Sequence, residues 1–291
     1  MLFKRIITSL ILAPLIIAGI LYLPEIYFAL IWGLVILVAA WEWSNLAGLQ
    51  KTLHRCLFIF GLALSQLFMF SWIDILEVLA RVAGEWADFR ESADTLDWLV
   101  VVAVVWWAVV AFAMKRNSDK LLESKASTTA RLFMGWFILL MAWHFLIRLR
   151  HVWEPSLALY LILLVSFADI AAYFVGRKFG KTKLAPNISP GKTVAGMYGA
   201  MAIALALTLI VGISFEFDIV VLIDFIILSQ VTVMFSVYGD LFESLAKRHR
   251  GVKDSGMLIP GHGGVLDRID GHLSAIPVFY LGIKLIILQI L

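Results

Sequence analysis

Residues 193–213 read TVAGMYGAMAIALALTLIVGI, and residues 218–238 read DIVVLIDFIILSQVTVMFSVY. Each meets the roughly 20 apolar residues that carry a helix across about 30 Å of hydrocarbon. The first has no charged side chain; the second has Asp218 at its start and Asp224 within it. Working outward, further apolar windows fall at 6–23, 26–47, 55–72, 98–114, 132–150, 155–175 and 272–291, making about nine. None shows the ten-residue alternation of an outer-membrane barrel. Composition agrees: 62% of the 291 residues are hydrophobic and 15% charged, against about 25% charged in a soluble domain. A soluble fold of this size cannot bury so much apolar surface. These numbers exclude a soluble enzyme, a disordered chain and a disulfide scaffold. Cys56 is the single cysteine, can form no internal bridge, and reads as a small buried hydrophobe. A net charge of +3 gives no reason to expect nucleic acid. The fold class expected is all-α, a polytopic integral membrane protein.

Basic residues orient it. With the N-terminus inside, the inner segments 1–5, 48–55, 115–131, 176–192 and 239–271 hold 19 of the 24 Lys and Arg. The outer side holds only Arg81, Arg90, Arg148 and Arg150, and Lys284 lies inside the last window. Arg148, Arg150 and His151 together are the one weak point of this topology. The first window has the Lys4-Arg5 flank of a signal peptide but no small-residue cleavage site, and reads as a retained helix. The loop 73–97 is acidic, with Ile75, Leu79, Val82, Trp86 and Phe89 at helical spacing, so an interfacial amphipathic helix is expected there.

Two inner loops are unlike connectors. Residues 176–192, GRKFGKTKLAPNISPGK, hold five basic residues, three glycines, two prolines and no acid. Residues 239–271 hold seven glycines, five basic and five acidic residues, the turn chemistry of a folded polar loop. No breaker interrupts the helix after Tyr238 until Gly251. Asp240, Ser244 and Lys247 therefore stand at i, i+4 and i+7 on one helical face, with Arg248 a step further. A carboxylate, a hydroxyl and two cations in one stripe suit a metal-bound polyphosphate. The plainer reading is a solvated ion pair of Glu243 with Lys247. Asp267 and Asp270 share a turn entering the last window, and Asp267 must return to nearly the depth of Asp240. Oxygen ligands without cysteine favour Mg²⁺ over zinc. Gly261, Gly263 and Gly264 around His262 offer free backbone N–H groups to an anion, with Lys253 and Arg268 nearby. Asp169 is a carboxylate inside an apolar window, which marks a functional position. Glu42, His144, Asp224 and Lys284 are assigned structural roles.

The stretch Ser244–Asp270, SLAKRHRGVKDSGMLIPGHGGVLDRID, resembles the signature of the phosphatidate cytidylyltransferase (CDP-diacylglycerol synthase) family, as do DIAAYFVGRKFGKTKL and SPGKTVAG upstream. The resemblance covers roughly 165–291 well; the first half shares the span pattern and the WEW at 41–43. It implies an enzyme that joins CTP to phosphatidate, giving CDP-diacylglycerol and pyrophosphate. It implies Asp240 and Asp267 as metal-site acids around Mg²⁺, with K⁺ as a candidate second cation. Ser244, Lys247, Arg248, Lys253, Asp254, His262, Arg268 and Asp270 match other motif positions, and Ser189, Lys192 and Thr193 match the SP-x-KT element.

The expected catalytic set is thus Asp240, Asp267, Lys247 and Lys253. The expected substrate contacts are Ser189, Lys192, Thr193, Ser244, Arg248, Asp254, His262, Gly263, Gly264, Arg268, Asp270 and Asp169. Residues 1–131 are expected to form a transmembrane scaffold of about four spans, and 132–291 the catalytic region with both polar loops. Expected partners are CTP, phosphatidate and the bilayer, with a homodimer as an open alternative and no nucleic acid. The expected location is the bacterial inner (cytoplasmic) membrane, with the N-terminus and site cytoplasmic. The rival reading is a polytopic anion transporter. Transporters place charge near the midplane on interrupted helices, whereas here it gathers at the inner boundary.

Overall fold

A computed structural model describes residues 2–83, 95–124, 126–259 and 263–290. The chain is an all-α polytopic membrane protein. Its helices are α1 (Leu2–Tyr22), α2 (Glu25–Leu46), α3 (Thr52–Phe70), α4 (Trp72–Ala83), α5 (Leu99–Glu123), α6 (Thr128–Arg148) and α7 (Pro155–Phe179). A hairpin of β1 (Lys183–Ala185) and β2 (Ser189–Thr193) follows, then α8 (Val194–Ser214), α9 (Ile219–Arg250) and α10 (Leu266–Ile290). Among the described residues, eight helices are long and apolar enough to cross a membrane, and α1 falls on the remaining expected window. The expected amphipathic helix at 73–97 is met in part by α4; Trp86 and Phe89 lie outside the described residues.

Local sequence explains the helix ends that matter for the site. α9 runs past Tyr238 to Arg250, as the absence of a breaker predicts. It stops at Gly251, whose φ of 71° only glycine adopts readily. Gly251 N–H donates to Arg248 O and Val252 N–H to Lys247 O, each at 3.0 Å, closing the helix with a Schellman pair. The loop 176–192 is not irregular throughout. Its hairpin pairs Lys183 with Thr193 and Ala185 with Ser189, antiparallel. Thr193 then caps α8, its hydroxyl accepting from Gly196 N–H at 3.1 Å.

The core is aromatic and crosses the two halves of the sequence. Trp43 of α2 stacks on Phe242 of α9 with centroids 5.8 Å apart, and Trp107 of α5 meets Phe242 edge-on at 5.6 Å. Trp43 fits only because position 135 of α6 is glycine: a Cβ there would lie 1.8 Å from its indole nitrogen. α9 and α10 approach as closely, since a Cβ on Gly239 would lie 2.7 Å from Asp270 O. Tyr160 of α7 hydrogen-bonds Thr208 of α8 at 2.7 Å and Ser229 of α9 at 2.8 Å, joining three helices by hydroxyls.

The end of the bundle remote from the polar loops explains the weak point of the charge count. Asp97, only 3% exposed, takes Arg148 at 2.9 and 3.0 Å, Tyr280 at 2.7 Å and Lys284 at 3.2 Å. Arg150 caps the C-terminus of α1, its Nε–H donating to Ile20 O at 2.6 Å and its Nη2 to Leu23 O. Both arginines are engaged inside the protein. Lys284, given a structural role from the sequence, pairs with Asp97. Cys56, in the second turn of α3, is exposed rather than buried.

Candidate active site

The polar residues converge where the C-terminal end of α9 and the N-terminal end of α10 meet the hairpin and the glycine loop. On α9, Asp240, Glu243, Ser244 and Lys247 stand at i, i+3, i+4 and i+7, one continuous stripe. α10 opposes that stripe with Asp267 and Asp270 in its first turns. Carboxylate oxygens of Asp240, Glu243 and Asp270 all lie within 4.8 Å of one another. Like charges this close need a counterion. Lys192 from β2 supplies part of it, reaching Asp240 Oδ2 at 2.6 Å and Val237 O at 3.1 Å. Ser244 Oγ–H donates to Asp240 Oδ1 at 3.3 Å.

Lys247 is the second internal cation. Its ammonium lies 2.5 Å from Glu243 Oε2 and 2.7 Å from Asp267 Oδ1. Asp267 Oδ2 accepts from Ser255 N–H at 2.9 Å, Ser255 Oγ–H at 3.0 Å and Gly264 N–H at 2.8 Å. The expectation set Asp267 beside Asp240. In the structure the acids that share a space with Asp240 are Glu243 and Asp270, while both oxygens of Asp267 are held by Lys247 and the glycine loop. Glycine at 263 has φ 86°, and a Cβ there would lie 2.7 Å from Asp267 Oδ2.

The other expected positions divide. Asp169 on α7 keeps accessible surface and interacts electrostatically with Asp240, Lys192 and Arg268. Lys253, Asp254 and Arg268 are exposed. Arg248 turns to the hairpin, its Nε–H donating to Ile188 O at 3.0 Å. Ser189 is half-buried on β2, and buried Thr193 is committed to its helix cap. Gly264 is drawn to Asp267 through its N–H. His262 and Gly261 lie outside the described residues. Sequence reasoning passed over Glu243 as a member of the acid group, although its i+3 spacing from Asp240 was the signal. It also gave no role to Ser255.

A cation fits this arrangement on three counts. Five carboxylates (Asp169, Asp240, Glu243, Asp267 and Asp270) surround two internal ammonium groups. Oε1 of Glu243 is buried without a hydrogen-bond partner, although the residue is only 1% exposed. Among the described residues the converging donors are all oxygen, the set a hard divalent ion takes. Ammonium groups interleaved with carboxylates that could hold a cation are suited to holding a polyphosphate against an attacking anion.

Comparison with known proteins decides the family. A profile described as "Cytidylyltransferase family" matches residues 3–286. The chain belongs to this family. It is 38% identical over 281 residues to a phosphatidate cytidylyltransferase of Pseudomonas aeruginosa, covering 96% of each chain. It is 37% identical over 291 aligned residues to a phosphatidate cytidylyltransferase of Haemophilus influenzae, covering 96% of this chain and 97% of that one. A phosphatidate cytidylyltransferase of Bacillus subtilis is 41% identical over 158 residues, 53% of this chain. Membership makes this cytidylyltransferase a membrane-embedded nucleotidyltransferase.

Proposed function

We propose that the chain transfers the cytidylyl group of CTP to phosphatidate, forming CDP-diacylglycerol and pyrophosphate for phospholipid synthesis. The observation that carries the reading is one oxygen-only acid group, flanked by Lys192 and Lys247, at the end of a membrane bundle. A phosphate oxygen of the lipid attacks the α-phosphorus of CTP; a new P–O bond forms there. The bond from that phosphorus to the β-phosphate oxygen breaks, and pyrophosphate leaves. The lipid phosphate, with a second pKa near 6, is largely dianionic at pH 7 and needs no strong base. The work left to the protein is to align two anions and neutralise their repulsion.

Mg²⁺, with K⁺ as a candidate second cation, would supply charge neutralisation at the phosphates. Asp240, Glu243 and Asp270 would hold it. Asp267 would be available to the same ion if a bound triphosphate drew Lys247 away from it, which would make Lys247 a charge that changes partners. Lys192 holds Asp240 in place and faces the same space. Lys253 and Arg268, exposed beside the acids in sequence, and Ser244 are assigned to the phosphates. Gly263 and Gly264 offer the backbone that receives them, and His262 is assigned to the phosphates from its motif position alone. The site faces the cytoplasm of a bacterial inner membrane, where CTP is found, in keeping with the positive-inside count.

Purified protein in phosphatidate-containing micelles, given CTP labelled at the α-phosphate, tests the reading. Mg²⁺-dependent appearance of label in the lipid phase, matched mole for mole by pyrophosphate, is expected. Label that stays aqueous while CTP is hydrolysed, or lipid labelling only from the γ-phosphate, overturns it.

A further inference from the structure

We infer that Glu42, on α2, is a positioning residue for the transfer reaction, acting through Ser255 on Asp267; the inference rests on the function proposed above. Glu42 is 3% exposed and lies between Trp41 and Trp43, after a run of α2 that is apolar from Ile26 to Trp41. A carboxylate in that setting is costly unless its oxygens are satisfied. They are satisfied from the far end of the chain. Oε1 accepts from Val265 N–H at 3.1 Å, and Oε2 accepts from Leu266 N–H at 2.8 Å. These amides open α10, where an anion is favoured by the helix dipole.

The third contact gives Glu42 its link to the site. Ser255 Oγ lies 3.0 Å from Glu42 Oε2 and 3.0 Å from Asp267 Oδ2. One hydroxyl proton therefore serves two carboxylates. From Asp267 the path continues to Lys247 at 2.7 Å and from Lys247 to Glu243 at 2.5 Å. A continuous polar chain runs from α2 to the acid group. The glycines of the loop are needed by Glu42 as much as by any phosphate. A Cβ on Gly256 would lie 2.3 Å from Glu42 Oε1, and one on Gly264 2.4 Å from Oε2. Glu42 therefore fixes the height of the loop and the direction of Asp267. The apolar N-terminal half, 1–131, acquires a part in the chemistry by this contact.

A helix cap alone would make a different prediction, which separates the two. Glu42→Gln turns an NH₂ toward one of the two backbone N–H groups, whichever way the amide is placed. Ser255→Ala keeps the bonds from Val265 and Leu266 to Glu42 and from the residue-255 N–H to Asp267, and removes only the hydroxyl that Glu42 and Asp267 share. Each full-length variant, in lipid micelles, is titrated with Mn²⁺ by electron paramagnetic resonance as a probe of the divalent site, and its turnover is measured. Both variants are expected to weaken Mn²⁺ binding or turnover on the order of 10–100-fold, the usual effect of losing a group behind a ligand. The double variant is expected to be no worse than the worse single one, because both act on one path. Should Glu42→Gln fail to fold, Ser255→Ala decides alone. Wild-type Mn²⁺ binding and turnover in Ser255→Ala would overturn the proposal, as would losses in the two singles that simply add. A wild-type protein that makes no liponucleotide would sink the function reading only, and the Mn²⁺ titration would still decide Glu42.

Discussion

Replacing Lys247 by alanine should separate the two jobs the structure gives it. The side chain is 11% exposed, and its ammonium sits between Glu243 and Asp267. Its charge neutralises two carboxylates now and, on the account above, the triphosphate during transfer. Two unit charges about 4 Å apart interact by roughly 4 kcal/mol at an effective dielectric constant near 20. Alanine leaves both acids without that partner, so a divalent cation becomes their remaining counterion. If even a third of that interaction is recovered by the metal, about 1.4 kcal/mol, its apparent affinity rises about tenfold. Turnover moves the other way. Loss of one group that stabilises developing charge costs on the order of 10²–10³ in kcat. The assay is lipid-phase product formation across a Mg²⁺ titration, with Tm recorded to confirm folding. Tighter Mg²⁺ dependence with collapsed turnover is the expected signature. Turnover within about threefold of wild type, with an unchanged Mg²⁺ curve, would refute the exchange of partners.

Asp97→Asn should destabilise the protein by roughly 1.5–3 kcal/mol, the worth of hydrogen bonds to a charged group, because Arg148, Tyr280 and Lys284 all donate to that one buried carboxylate. Its effect should appear in Tm, with turnover per folded molecule close to wild type; a selective loss of kcat would contradict the remoteness of that cluster from the site. Lys178→Ala and Lys181→Ala should each lower turnover far less than Lys253→Ala, since Lys253 stands two residues from Ser255, which bonds Asp267, while the first two flank no residue of the acid group; equal effects would make the whole basic surface a general anion attractor. Cysteines at Thr182 and at Met257, the latter 94% exposed, should react with an impermeant thiol reagent from the inner face only. Exposed Cys56 must first be changed to serine, and labelling of both sites from outside intact cells would invert the topology.

The membrane class and the helix windows were legible because apolar length is a local property of the chain. The run of α9 to Arg250 and the start of α10 at Leu266 were legible too, from breakers and turn residues. The site was legible as a region, on the stripe from Asp240 to Lys247 and the pair Asp267 and Asp270. What the local pattern does not carry is which carboxylate faces which. Glu243 reads as half of an i,i+4 ion pair with Lys247, and it is one, but the same residue also faces Asp240 and Asp270 once α10 is packed against α9. The partners of Glu42 are 213 and more positions away, and Asp97 meets Lys284 across 187. Such pairs depend on the packing of the whole bundle. Thr193 shows the converse: a motif position whose hydroxyl is spent on a helix cap that the residues after it, VAG, could have announced.

The central claim is that Asp240, grouped with Glu243 and Asp270, and Asp267, tied to that group through Lys247, supply the charge that holds a cation for the reaction. Asp240→Asn and Asp267→Asn keep size and hydrogen-bonding atoms while removing the charge. Asp224→Asn, near the far end of α9, is the matched control. Turnover of CTP and phosphatidate at limiting Mg²⁺ is the measurement. Loss of product by both site variants, slight rescue at high Mg²⁺ and near wild-type turnover in the control are the results expected. Near wild-type rates for Asp240→Asn and Asp267→Asn at limiting Mg²⁺ would contradict the account.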